Sequence, residues 1–208
     1  MSFFLEFVRN PLTVAAVAPS SLALAEVVTA AVPRTGAPVV VELGPGTGAF
    51  TEVVQRRLAG RGQHIAVEVI PRFAERLAAR YPAVDVVQAD AADLGTVLAA
   101  RGISRADVVV SGLPWAAFAA GRQRDVLSAV LAALPPHGVF TTFAYVQTRW
   151  APPARRLLRS LRSRFDEVMI SRTVWANVPP ALVYVCRRPD TAPSARLEPA
   201  GSGLAGHA

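Results

Sequence analysis

Gly44, Gly46 and Gly48 are the residues in this 208-residue chain best placed to do chemistry. They sit in Val39-Val40-Val41-Glu42-Leu43-Gly44-Pro45-Gly46-Thr47-Gly48-Ala49-Phe50-Thr51. An apolar run closes on a carboxylate, turns on residues without a Cβ, and enters a helix. Glycine takes positive φ without strain and lets the backbone approach a ligand closely, and the first amides of a helix lack intrahelical partners. Such a turn at the carboxyl end of a parallel strand is where open α/β sheets bind nucleotide-type ligands. Two later apolar runs also close on acids. Ile65-Ala66-Val67-Glu68 ends about twenty residues on, where these folds place a ribose-binding acid, and Val84-Asp85-Val86-Val87-Gln88-Ala89-Asp90-Ala91 ends at Asp90. Each acid taken alone can equally be a solvated loop carboxylate; three at three strand ends favour a shared ligand.

In its wording, E-L-G-x-G-x-G resembles the first motif of class I S-adenosylmethionine-dependent methyltransferases. The resemblance implies a Rossmann-like α/β fold: a seven-stranded sheet, mostly parallel with an antiparallel last strand, and helices on both faces. It implies S-adenosylmethionine as cofactor, held by Glu42, Gly44, Gly46, Gly48, Glu68, Asp90, Ala91 and Ser111, with Asp90 accepting a hydrogen bond from the adenine amino group.

The next informative run is Asp107-Val108-Val109-Val110-Ser111-Gly112-Leu113-Pro114-Trp115. Adenine N6-methyltransferases carry Asn or Asp, one residue, then Pro and an aromatic there, to hold the exocyclic amine and stack on the base. Leu113-Pro114-Trp115 fits the second half, but Gly112 supplies neither amide nor carboxylate. Further pieces look like bacterial phospholipid N-methyltransferases, relatives of the rRNA adenine dimethylases. They are Pro11 to Ser21, V-E-V-I-P-R-F at Val67 to Phe73, S-G-L-P-W, F-A-Y at Phe143 to Tyr145, and V-W-A-N-V-P-P-A-L-V-Y at Val174 to Tyr184. That resemblance covers residues 3 to 188 and departs from the family at Trp115, where an aliphatic residue is expected. It implies methyl transfer to the amine of phosphatidylethanolamine or its methylated derivatives. A small-molecule amine is the alternative, and an rRNA adenine is a weaker one.

Methyl transfer is an in-line displacement, so orienting a neutral amine is most of the work. Tyr145, at the end of the fifth strand, is the first candidate to orient the amine; the other reading is an aromatic that packs the sheet edge. Trp115 is expected either to face a cationic head group by a cation–π contact or to pack. Gly112, Leu113 and Asn177 are placed at the acceptor, with Asn177 otherwise capping a turn before Pro179-Pro180.

The elements that must position these residues alternate strand and helix, as βαβ units do. Helices are expected over 50–58, 72–80 behind Pro71, 94–101 capped by Asp93, and 122–134. Strands are expected at 107–111 and 139–145, with a closing pair at 168–174 and 182–186. Residues 1–188 form the expected methyltransferase domain, with 1–32 a helical cover over the cofactor site, and 189–208, rich in Pro, Gly, Ala and Ser, an expected disordered tail.

The net charge of +7 resides in residues 149–188, which carry nine arginines against two acids. Residues 155–165 place Leu157, Leu158, Leu161 and Phe165 at helical spacing among arginines. A basic amphipathic helix suits an anionic membrane surface. It also suits an RNA backbone, or it is an ordinary helix whose leucines pack on the sheet. Phe3, Phe4, Leu5 and Phe7 would add a second lipid contact. The lone Cys186 lies in an apolar strand and the three histidines are scattered, so neither a disulfide framework nor a metal is expected. The N-terminal residues lack a secretory pattern, which predicts a cytoplasmic protein, peripheral to the membrane if the basic helix docks there.

Overall fold

The structure, a computed structural model, describes residues 20–190. Helix α1 (Leu22–Val28) precedes strand β1 (Val39–Leu43). Then follow α2 (Ala49–Leu58), β2 (Gln63–Glu68), α3 (Pro71–Arg80), β3 (Asp85–Gln88), α4 (Leu94–Ala99), β4 (Val108–Ser111), α5 (Ala120–Ala133), β5 (Val139–Tyr145), α6 (Pro152–Arg164), β6 (Phe165–Ile170) and β7 (Ala181–Pro189). The strands form one sheet of order β3-β2-β1-β4-β5-β7-β6. β1 to β5 run parallel, and β7 runs antiparallel to both β5 and β6. This is the expected seven-stranded class I methyltransferase sheet. The parallel strands read as unbroken valine runs because both of their faces are covered.

Two cores result. Val41, Leu43, Val109, Leu127, Leu131, Phe140, Leu157 and Leu161 pack on one face. Leu24, Val28, Val40, Phe50, Val53, Val54, Val108 and Val110 pack on the other. Glycines 44, 46 and 48, β3's end, β4's end and Tyr145 all lie at the carboxyl edge of the parallel strands, the edge where such sheets hold ligands.

Several boundaries differ from expectation, each for a local reason. Proline at the first turn starts α3 at Pro71 itself, since proline's fixed φ suits that position. Asp93 does not cap α4 with its side chain; Asp90 caps the short turn Ala91–Asp93 instead, accepting from the Ala92 amide at 2.7 Å. α6 stops at Arg164, and Phe165 is the first residue of β6, so the strand expected at 168–174 starts earlier and ends at Ile170. β7 continues past the expected domain boundary to Pro189, and the Asp190 amide bonds the Arg164 carbonyl at 2.7 Å. Most of the expected N-terminal cover, including Phe3, Phe4, Leu5 and Phe7, lies outside the described residues, as does all of the tail after Asp190.

The arginine-rich helix α6 turns Leu157, Leu161 and the adjoining Phe165 into the core, where they are at most 3% exposed. Its apolar stripe is therefore spent on the sheet, and the expected membrane contact through that stripe is unavailable. Cys186 is fully buried and its thiol is pushed up to about 12 by burial, which leaves no thiolate for chemistry. Among the described residues, no helix is long and apolar enough to cross a membrane, and no group of three acidic, His or Cys side chains could hold a metal.

Candidate functional site

The glycine turn connects β1 to α2 with Gly44, Gly46 and Gly48 all at positive φ. Their environments separate their roles. A Cβ on Gly44 would lie 2.8 Å from the Leu113 side chain, and one on Gly48 would lie 2.9 Å from Leu77 and 3.0 Å from Tyr81. A Cβ on Gly46 would meet nothing within 4 Å. Gly44 and Gly48 thus let neighbouring elements close in, while Gly46 is the backbone that fronts open space. Gly48 is the N-cap of α2 and contributes no side-chain cap to the positive end of the helix.

Glu68, at the end of β2, is bound into this turn. Its Oε2 accepts from the Gly46 amide at 3.1 Å and its Oε1 from the Ile70 amide at 2.9 Å. The carboxylate is 4% exposed. Burial pushes its carboxyl above the usual value, against the downward pull of the Ile70 and Gly46 amides. One side chain therefore shapes the loop, and each oxygen keeps acceptor capacity for a hydroxyl donor.

Glu42 points elsewhere. It is fully buried, with Oε2 accepting from the Thr51 hydroxyl at 2.8 Å and lying 3.2 Å from Nε2 of buried His64. Its Oε1 has no partner among the described residues. Gln55 in turn lies 2.9 Å from His64 Nδ1. The side chain expected to touch cofactor instead ties β1 to α2 and β2, beneath the turn. Asp90, at the end of β3, pairs with Arg122 of α5 at 2.7 Å, and Arg122 also lies over the Phe118 ring at 5.7 Å. Arg122 sits 32 residues beyond Asp90 on another element, and no local pattern in the sequence joins them. Ala91, next to Asp90, is buried among the core residues of α4 and α5.

At the end of β4, Ser111, expected at the cofactor, and Gly112, Leu113 and Trp115, expected at the acceptor, are all engaged with protein neighbours. Ser111 is buried; its Oγ accepts from the Trp115 indole at 3.0 Å and from the Leu113 amide at 3.3 Å. Trp115 is 2% exposed, packed edge-on to Phe118 and Phe140. The expected cation–π contact with a head group is not available to a ring so enclosed. Leu113 folds over Gly44. Gly112 donates to the Leu43 carbonyl at 2.8 Å, and a Cβ there would stand 2.6 Å from the Gly44 carbonyl oxygen. Glycine stands where adenine methyltransferases carry Asn because the end of β4 is pressed against the glycine turn.

Tyr145 is half-buried, and its hydroxyl has no hydrogen-bond partner among the described residues. Burial pushes its phenol above 10.0, so it stays neutral at physiological pH. Its ring meets Phe143 edge-on at 5.4 Å, and Phe143 meets Phe50 edge-on at 5.9 Å. Phe50 belongs to the first turn of α2, so two ring contacts fix Tyr145 relative to the glycine turn.

Asn177 is 3% exposed and fully employed. Its Oδ1 accepts from the Ser21 amide at 2.8 Å and its Nδ2 donates to the Pro179 carbonyl at 2.7 Å. Ser21 is the N-cap of α1. The residue expected at the acceptor is thus a clasp between the entry to α1 and the loop before β7. Asn177→Ala leaves both backbone partners without it, and is expected to lower stability by about 1–3 kcal/mol. Chemical denaturation of the two proteins measures this; an unchanged midpoint would show that the clasp carries no load.

The region thus offers, at one sheet edge, a glycine turn fronting open space, a helix N-terminus, Glu68 on the turn, and Asp90 on the neighbouring strand end. That set fits a nucleoside-bearing cofactor.

Comparison with known proteins agrees with this geometry. The family model for ribosomal RNA adenine dimethylase matches residues 19–114. The ornithine lipid N-methyltransferase of Singulisphaera acidiphila is 38% identical over 191 residues, covering 89% of this chain and 95% of that protein. Among solved structures, the O-methyltransferase TomG from Streptomyces achromogenes, in complex with S-adenosylmethionine, is 17% identical with a TM-score of 0.61, over 87% of this chain and 86% of that one. The TehB-like S-adenosylmethionine-dependent methyltransferase from Corynebacterium glutamicum is 13% identical with a TM-score of 0.59, over 89% of this chain and 96% of that one. At these identities the solved structures speak for the fold alone.

Proposed function

Because this chain belongs to the class I S-adenosylmethionine-dependent methyltransferases, we propose that it methylates the amine of a lipid head group. The observation that carries the reading is the 38% identity to an ornithine lipid N-methyltransferase along nearly the whole length of both chains. Phosphatidylethanolamine, its methylated derivatives and an ornithine lipid all present an amine on a molecule held in a bilayer, and these are the acceptors proposed. The cofactor supplies a methyl group on a positively charged sulfur.

The chain's own residues do the rest. The glycine turn and the N-terminus of α2 would hold the polar end of the cofactor, Glu68 would accept from its ribose hydroxyls, and Asp90 would accept from the adenine amino group. An amine must be unprotonated to attack. The neutral Tyr145 hydroxyl accepts one of its N–H groups and so holds the lone pair in line, without acting as a base. Tyr145→Phe removes one hydrogen bond and keeps the ring. It is expected to lower kcat about tenfold, near 1.4 kcal/mol, with cofactor affinity unchanged. An unaltered kcat would make Tyr145 a packing residue.

A second reading, transfer to an adenine of ribosomal RNA, draws on the family-model match over residues 19–114. Gly112 weighs against it, since no side chain at that position can hold an exocyclic amine. Labelled S-adenosylmethionine offered with detergent-dispersed phosphatidylethanolamine, ornithine lipid, a water-soluble amine and ribosomal RNA decides among them. Label in a lipid fraction is expected; label only in RNA, or only in the soluble amine, would overturn the proposal.

A further inference from the structure

Among the described residues, the three most exposed large apolar side chains lie at the carboxyl edge of the sheet, beyond β5 and before β7. Trp150 is 71% exposed, Trp175 74% and Val178 76%. Trp150 follows β5, while Trp175 and Val178 lie in the loop between β6 and β7. The two segments run side by side where the Val146 amide bonds the Pro180 carbonyl at 2.9 Å. The loop is firmly held. The Val174 amide bonds the Ala181 carbonyl at 2.7 Å, and Asn177, between the two exposed residues, is buried and bonded to Ser21 and Pro179. Trp175 and Val178 are therefore kept out in solvent by the clasp. Exposed apolar side chains that cluster and are rimmed by polar residues mark interaction surfaces.

The charge within these two segments has one sign. Arg149 lies over the Trp150 ring at 4.5 Å, and Arg172 is exposed. Between residues 146 and 180 the only acids are Asp166 and Glu167. Both lie at the opposite end of β6 and pair with Arg188. Tryptophan favours the polar–apolar boundary of a bilayer, and arginine beside it complements anionic head groups.

We infer that Trp150, Trp175 and Val178, flanked by Arg149 and Arg172, form the surface that seats this protein on an anionic bilayer, with its cofactor edge toward the lipid. The inference rests on the lipid-amine reading for its purpose, but its observable is binding, independent of methyl transfer. It moves the membrane contact away from α6, whose Leu157 and Leu161 are buried, to the rim from which a head group would enter. Lipid-anchored acceptors would then reach the glycine-turn edge without leaving the bilayer.

The test compares the full chain with Trp150→Ala/Trp175→Ala by co-sedimentation with phosphatidylcholine vesicles, with and without phosphatidylglycerol. The wild type is expected to sediment with the phosphatidylglycerol vesicles, with its tryptophan emission shifted to the blue. The double variant should bind them about tenfold more weakly per tryptophan removed, with unchanged S-adenosylmethionine affinity and thermal midpoint. Arg149→Gln/Arg172→Gln should lose binding chiefly to the anionic vesicles at low salt. Equal vesicle binding by wild type and double variant would overturn the inference. So would a wild-type dimer that the double variant dissolves while neither binds vesicles, because the rim would then be a protein interface. Methylation of detergent-dispersed lipid amine, measured on both proteins, fails or succeeds separately and reports on the function alone.

Discussion

Gly112→Ala is expected to cost the protein most of its cofactor binding. The added Cβ would stand 2.6 Å from the Gly44 carbonyl oxygen, which is backbone and cannot swing aside as a side-chain end could. Either β4 withdraws from β1, breaking the Gly112–Leu43 bond of 2.8 Å, or the glycine turn shifts. Overpacking of this kind costs about 1–3 kcal/mol, and it falls on the loop that fronts the ligand. Cofactor affinity should drop at least about tenfold, with a lower thermal midpoint, in calorimetric titration and thermal unfolding of the two proteins. Gly112→Asn, which restores the residue of adenine methyltransferases, should fail in the same way and gain no activity on RNA. Retained affinity in either variant would show that the turn has slack the structure does not indicate. The two substitutions together separate packing from chemistry, since only packing is shared between them.

Glu68→Ala is expected to weaken S-adenosylmethionine binding about a hundredfold, two tenfold steps for the two amide bonds it removes, from Gly46 and Ile70. Glu68→Gln keeps one acceptor oxygen and should fall between. The raised carboxyl value gives a second signature. Burial penalises the charged form, so Glu68's contribution to stability is whole below the ordinary carboxylate value and diminishes as pH rises through the raised one. Cofactor affinity runs the other way. On the proposed contact, ribose hydroxyls would donate to the charged carboxylate, so affinity should decline as pH falls through the raised value, at a higher pH than an ordinary glutamate would give. Titrations across that range should show the decline in the wild type and a flat profile in Glu68→Gln. The same decline in the variant would assign the effect to another group.

The fold was legible because parallel strands buried on both faces leave a local mark. The valine runs of β1 and β4 could be read directly, as could the glycine turn that follows β1. The segment ends were less legible where two elements abut. Nothing local marks the passage from Arg164 to Phe165, because the phenylalanine that would complete a helical stripe is the first residue of a strand instead. Residue types at strand ends pointed to the carboxyl edge of the sheet, yet not to what each side chain does there.

Glu42, Ser111, Trp115 and Asn177 all sit beside the expected site, and each has side-chain polar atoms bonded to protein neighbours, though Glu42 Oε1 has none among the described residues. A carboxylate reads the same in sequence whether it accepts from a ribose or from Thr51. The sheet, the glycine turn, the presence of Glu68 and Asp90 at adjacent strand ends, and the family could all be read from residue order. Those follow from periodicity and from residues that only one backbone geometry tolerates. Tertiary structure alone decided that Gly112 is glycine because Gly44 lies against it, that Arg122 reaches Asp90, that α6 buries its leucines, and that Trp150 and Trp175 stand in solvent. Each of these depends on which distant segment arrives at a given face, and that is set by packing of the whole chain.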